Sequence, residues 1–397
     1  MKILTQKLCD AVRKDLLENI APFWLKYTID QENGGFYGRV SNSLIPDTKA
    51  DKGLILTTRI LWTFSALYRM KPCHEFYNMA QRAYQYLLDK FLDKEFGGVY
   101  WMLSYEGQPT ITQKKIYGQA FTIYALAEYY KATQEAESLN HAQSIYYLIE
   151  KHNYDESNTG YFESSERDWS VAKDMRLSDK DMDEKKSMNT HLHLLEAYTN
   201  LLEVWPDKRL RLSLKRLLQN FLEHILDTDS LHFRLFFDES WNSKSQTISY
   251  GHDIEGSWLL CEAADILREE NTIKTIRNLA VKMTDTAIKE GFDENWAIYS
   301  ERSSDGHHAE VTHWWQQAES LVGTINAFQI TSQEKYLSWA MNIWKYIEDH
   351  FIDHQNGDWF YEISMQSHQP SWDIPKVSEW KCPYHNGRAC IEILKRL

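Results

Sequence analysis

Asp30-Gln31-Glu32-Asn33-Gly34-Gly35-Phe36-Tyr37-Gly38 reads as an Asp/Asn/Gly turn running into a short aromatic strand. The same punctuation returns at Asp93-Lys94-Glu95-Phe96-Gly97-Gly98-Val99-Tyr100-Trp101 and at Asp155-Glu156-Ser157-Asn158-Thr159-Gly160-Tyr161-Phe162. Looser copies begin at Asp227, Asp293 and Asp353, so the six starts are separated by 63, 62, 72, 66 and 60 residues. A recurrence every 60 to 72 residues marks a repeat architecture.

Between the turns the period becomes helical. Ile60, Leu61, Phe64, Leu67 and Tyr68 recur at i, i+3/i+4 spacing, as do Tyr117, Ala120, Phe121, Tyr124 and Ala127. Leu192, Leu195, Ala197 and Leu201 follow more loosely. Each interval leaves room for two helices of ordinary length. The expectation is an all-α (α/α)6 barrel of six helical hairpins, with short β-strands in the inter-helix loops at one end. Six units without obvious polar caps favour closure over an open solenoid. No Pro/Ser-rich linker interrupts the chain, so residues 1–397 are expected to form one domain.

The chain carries a net charge of −13, which disfavours nucleic acid and anionic membrane surfaces as partners. No stretch approaches the length of an apolar span, and no signal core precedes Asp10. Five cysteines without CxxC spacing point to neither a disulfide framework nor a zinc site, and hence to a reducing, cytoplasmic setting. The 15 Trp, 23 Tyr and 16 Phe offer flat faces for sugar rings, although large helical proteins also use aromatics as core filler.

Five polar clusters hold the candidate chemistry. In Ser249-Tyr250-Gly251-His252-Asp253-Ile254-Glu255, a helix starting near Gly251 puts His252 and Glu255 on one face. The carboxylate would orient the imidazole, unless Asp253 and Glu255 simply answer the helix dipole. Trp380-Lys381-Cys382-Pro383-Tyr384-His385-Asn386-Gly387-Arg388 reads as a loop or helix start rich in functional side chains, or as a C-terminal segment docking on the barrel. In Met188-Asn189-Thr190-His191-Leu192-His193, Asn189 and His193 share a helix face, and His191 projects elsewhere. There is no HExxH, and i, i+2 histidines chelate poorly from a helix, so no metal is expected. Arg59 lies in an apolar helical stretch and needs a polar or anionic partner; a structural salt bridge would serve equally. Trp314 and Trp315 are placed to give one ring to a core and one to a cavity.

Taken together, these stretches resemble the signature set of the cellobiose 2-epimerases, within the N-acylglucosamine 2-epimerase superfamily. The similarity also takes in Ala50-Asp51-Lys52-Gly53 and Arg59-Ile60-Leu61-Trp62, and it spans nearly the whole chain. It implies an (α/α)6 barrel, in agreement with the repeat. It implies that His252 and His385 form the acid/base pair, supported by His193, Arg59 and Glu255. Tyr117 and Asn189 would contact the reacting sugar, and Trp315 and Trp380 would stack on it. Asp181, Trp314 and Arg388 complete the expected binding set. Glu255 would tune His252, and Arg59, with His193, would steady the developing oxyanion.

The implied reaction is cofactor-free inversion at C2 of a reducing-end sugar, from cellobiose to glucosyl-mannose, through a cis-enediolate. No GxGxxG or Walker loop is present. The expected partner is a small sugar, with the chain a monomer or weak homodimer. Competing substrates are mannose/glucose and N-acylglucosamine, and protonation at C1 would give aldose–ketose isomerisation. An (α/α)6 glycoside hydrolase would need two carboxylates flanking the bond, with Asp253, Glu255 and Glu319 as candidates. A non-catalytic sugar-binding barrel would explain the tryptophans but not the histidine clusters.

Overall fold

The computed structural model describes residues 2–397. It contains twelve helices when each α-helix is counted with the π-helical turn that continues it. Six form an inner set: α2 (Leu54–Met70), α4 (Ile116–Thr133), α6 (Met188–Val204), α8 (Tyr250–Leu267), α10 (Trp314–Thr331) and α12 (Tyr384–Arg396). Six form an outer set: α1 (2–27), α3 (74–91), α5 (Ala136–His152), α7 (208–225), α9 (Glu270–Gly291) and α11 (334–351).

Burial separates the two sets. α2 is buried without interruption from Leu54 to Leu67, because apolar and small side chains cover it all round. α7 instead buries one stripe, Leu210, Leu214, Leu217 and Leu218, and turns its Lys and Arg residues outward.

Each inner helix packs on the next, α2 on α4 through to α10 on α12, and α12 returns to α2. The ring is therefore closed, an (α/α)6 barrel. Five outer helices pack on the inner helix that precedes them, whereas α1 packs on α12. The sixth hairpin is thus built from the two ends of the chain.

The repeated turns connect outer to inner helices and gather at one end of the barrel. In all six, the leading Asp (30, 93, 155, 227, 293, 353) accepts two backbone N–H bonds through Oδ1, which closes the turn locally. In four of them the same carboxylate takes a buried lysine: Lys52 with Asp30, Lys114 with Asp93, Lys186 with Asp155, Lys376 with Asp353. Lys52, Lys114 and Lys186 each stand two residues before an inner helix, so the ion pair ties the turn to the helix start.

The strands differ in detail from expectation. The aromatic segments pair only as single bridges, such as Ile29 with Phe36 and Leu92 with Val99. The two- and three-residue strands lie further along the loops, as where Lys52–Gly53 meets Met102–Leu103. A tight Asx turn closes after one pair, and the ladder forms only where neighbouring loops meet. Among the described residues, no helix is long and apolar enough to cross a membrane.

Candidate active site

The inner helices all begin at the end of the barrel that carries the repeated turns, and their first two turns surround a cleft of about 640 Å³. Arg59 comes from α2, Tyr117 from α4, Asn189 and His193 from α6, His252 and Glu255 from α8, Trp314 and Trp315 from α10, and His385 from α12. Tyr361 and Trp380, from the loop before α12, and Asp181, Ser178 and Leu177, from the loop before α6, complete the wall. Helix N-termini carry partial positive charge, so the cleft favours an oxygen that gains negative charge. A second chamber of about 540 Å³ shares Leu177, Asp181, Asn189 and His252 with the first and is otherwise mainly apolar. Of the run Glu301–His308, Glu301 lines that chamber.

Three histidines present themselves in the same way, with Nδ1 occupied and Nε2 left over. His385 Nδ1–H donates to Glu319 Oε1 at 2.7 Å. His193 Nδ1–H donates to Glu196 Oε2 at 2.9 Å. His252 Nδ1 and Ser249 Oγ share a hydrogen bond of 2.7 Å. Burial pushes the His252 imidazole down to about 3, and burial with the Arg59 charge also pushes His385 down. The Trp315 ring lies 4.7 Å from His252 and 5.7 Å from His385, so one indole borders both imidazoles. Gly251 permits this approach, since a Cβ there would stand 2.9 Å from the Trp315 ring.

The expected pairing of Glu255 with His252 is not formed. Although they are three residues apart on α8, Glu255 Oε1 accepts from Arg388 Nη2 at 2.7 Å and lies 4.0 Å from His385 Nδ1. A guanidinium N–H is a stronger donor to the Glu255 carboxyl oxygen than the N–H of a neutral imidazole. Arg388, expected at the substrate, is instead buried behind the wall, where it also holds Glu319 at 2.6 Å and Glu196.

Arg59 is buried at 3% exposure and pairs with no carboxylate among the described residues. Its Nη2 donates to the Tyr117 hydroxyl at 2.9 Å, its plane covers the Phe121 ring at 4.3 Å, and its Nε has no partner. The structural salt bridge is therefore not made, and a buried positive charge faces the cleft uncompensated. Trp315 is half-buried and reaches the cleft, while Trp314 is almost wholly buried against Tyr361, 4.7 Å between centroids. Trp380 stands 6.0 Å from the Tyr117 ring. Asp181 Oδ2 accepts from Ser178 N and Oγ, both at 2.8 Å, so it shapes its own loop. His191 faces away and bonds Tyr161 N at 2.9 Å.

Sequence reasoning passed over Glu196 and Ser249 and weighed Glu319 only as a hydrolytic acid. Glu196 and Glu319 carried the same signal as Arg59, a charge inside an apolar helical run.

Fold and cleft together define a class, an (α/α)6 barrel with a histidine-lined cleft at the N-termini of its inner helices. Residues 35–386 match the family model described as N-acylglucosamine 2-epimerase, and the chain belongs to that family. It is 44% identical to a cellobiose 2-epimerase of Bacteroides fragilis, over 99% of both chains. It is 40% identical to a cellobiose 2-epimerase of Dictyoglomus turgidum, over 96% of this chain and 97% of that one. The solved cellobiose 2-epimerase of Bacillus thermoamylovorans superposes with a TM-score of 0.94 at 36% identity, covering 99% of this chain and all of that one.

Proposed function

We propose that the chain is an isomerase that inverts C2 of a reducing-end sugar, with cellobiose as substrate and glucosyl-mannose as product. The observation that carries the reading is the pair His252 and His385 at one cleft, both bordered by Trp315, with the uncompensated Arg59 on its wall. Full-length relatives that bear the name cellobiose 2-epimerase support the choice of disaccharide.

A C2 proton becomes acidic only beside a carbonyl, so the sugar first opens to its aldehyde. One neutral imidazole then removes the proton through Nε2 and leaves a cis-enediolate. The other imidazole, charged as the enediolate forms by a proton drawn from solvent in the open cleft, returns that proton to the opposite face. The roles exchange in the reverse direction. Glu319 steadies His385 when it carries the second proton, and Ser249 holds the ring of His252. Arg59 and the Tyr117 hydroxyl meet the enediolate oxygens, with a strength that builds as charge develops. Asn189 Oδ1, buried and unpartnered, accepts from a sugar hydroxyl.

Hydrolysis fits less well. Asp253 is turned away to His232, at 2.8 Å, and Glu255 and Glu319 both bind the same guanidinium. Two acids so tied do not flank a glycosidic bond. Incubation with cellobiose is expected to yield glucosyl-mannose with both sugars still linked. Release of free glucose would contradict the reading, and a side-by-side assay with mannobiose, mannose and N-acetylmannosamine would rank the substrates.

A further inference from the structure

The cleft holds more acid–base groups than inversion at C2 requires, and Glu255 and His193 are left without a task. Glu255 lines the cleft, one helical turn after His252, and is buried at 1% exposure. Its Oε1 accepts from Arg388 Nη2 at 2.7 Å, and its Oε2 is buried with no partner.

We propose that Glu255 carries a proton on Oε2 and is the acid that opens the sugar ring. The proposal rests on the epimerase reading above. Three carboxylates, Glu196 from α6, Glu255 from α8 and Glu319 from α10, converge on the single guanidinium of Arg388. One guanidinium offsets one negative charge, and a buried ionised carboxylate needs several donors. Glu196 also receives His193 Nδ1–H and the Tyr384 hydroxyl. Glu319 also receives Trp258 Nε1–H at 3.1 Å and His385 Nδ1–H. Glu255 receives a hydrogen bond from Arg388 alone, with His385 Nδ1 no nearer than 4.0 Å, so the proton rests there. Burial and the neighbouring Glu319 push the Glu255 carboxyl up to about 7, whereas Arg388 and His193 outweigh burial and hold Glu196 at about 2. The O–H of a protonated Glu255 has no acceptor in the protein, and the cleft is where one arrives.

Ring opening balances on the groups present. The O1–H proton passes to His193 Nε2, and the electrons of that bond form the C1=O double bond. The C1–O5 bond breaks, its electron pair goes to O5, and O5 takes the proton of Glu255. Glu255 becomes a carboxylate, and His193 becomes an imidazolium backed by Glu196. Ring closure runs the same transfers in reverse and restores both groups. His252 and His385 remain free for C2.

Two readouts on the intact protein test this. Exchange between the α and β anomers of cellobiose, followed by NMR magnetisation transfer, reports ring opening. Deuterium uptake at C2 reports the histidine pair. Glu255→Gln is expected to slow both by about 10²-fold or more, and to melt with the wild type at pH 7, because an amide matches the shape and neutrality of the protonated acid. His193→Gln is expected to lose anomer exchange as well. Anomer exchange by Glu255→Gln at the wild-type rate would overturn the proposal. So would a large fall in its melting temperature, which would mark Glu255 as an ionised partner of Arg388. A wild-type protein that exchanges anomers but leaves C2 undeuterated would instead sink the epimerase reading and leave the ring-opening assignment standing.

Discussion

Arg59 shows how much of the site is decided by single side chains. A buried guanidinium without a carboxylate is unfavourable for the resting fold and suited to a reaction that places negative charge beside it. Arg59→Met should therefore lower kcat for epimerisation by about 10²–10³-fold, while the melting temperature holds or rises. Steady-state kinetics and thermal denaturation of one preparation check both halves, and a destabilised variant would show that the charge serves the fold. The residues that the sequence made visible are those in compact polar clusters at helix starts, His252, His385, Asn189 and His193. Their orienting partners were less visible. His385 and Glu319 are 66 residues apart and meet only because α12 and α10 are neighbours in the ring. Glu255 went to Arg388 rather than to His252, a competition among three helices that spacing along one helix does not register.

At the scale of elements, the repeated turn is legible because its chemistry is local. An Asp whose side chain closes on the next backbone N–H groups forms the same loop in each of the six places. What the repeat did not disclose is the lysine that answers the carboxylate from the next helix start. Lys186 is fully buried, pairs with Asp155 at 2.8 Å, and donates to the carbonyls of Thr159 and Glu239. It also stands two residues before α6, which carries Asn189 and His193. Lys186→Met leaves a buried carboxylate without its cation and should cost about 3–5 kcal/mol in denaturant unfolding. Arg209→Met breaks a pair whose arginine is 68% exposed and should leave the unfolding midpoint nearly unchanged. Equal effects would mean that the buried pair does not anchor the turn.

At the scale of the molecule, closure depends on the two chain ends. Six turns suggest six hairpins, yet the sixth hairpin pairs α1 with α12, a contact that periodicity along the chain does not reveal. Asp15 of α1 lies in that seam, accepting from Trp359 Nε1 at 2.8 Å and Asn19 Nδ2 at 2.7 Å. Burial raises its carboxyl from 3.8 to about 7. The folded state therefore holds this proton more tightly than the unfolded chain. The resulting stability is present below the unfolded value and is lost as pH rises from near 4 to about 7. Asp15→Asn removes that loss, so its melting temperature relative to wild type should climb across this window and level off above it. A difference that is flat with pH would contradict the assignment.

The ring of helix starts brings His252 and His385 to one cleft, where the proposed reaction needs a proton taken from one face of C2 and returned to the other. Cellobiose incubated with the wild-type protein in D2O, and followed by NMR, tests it most directly. The expected product is glucosyl-mannose that carries deuterium at C2 of the reducing-end sugar. Glucosyl-mannose that retains the original proton at C2 would contradict the proposed reaction.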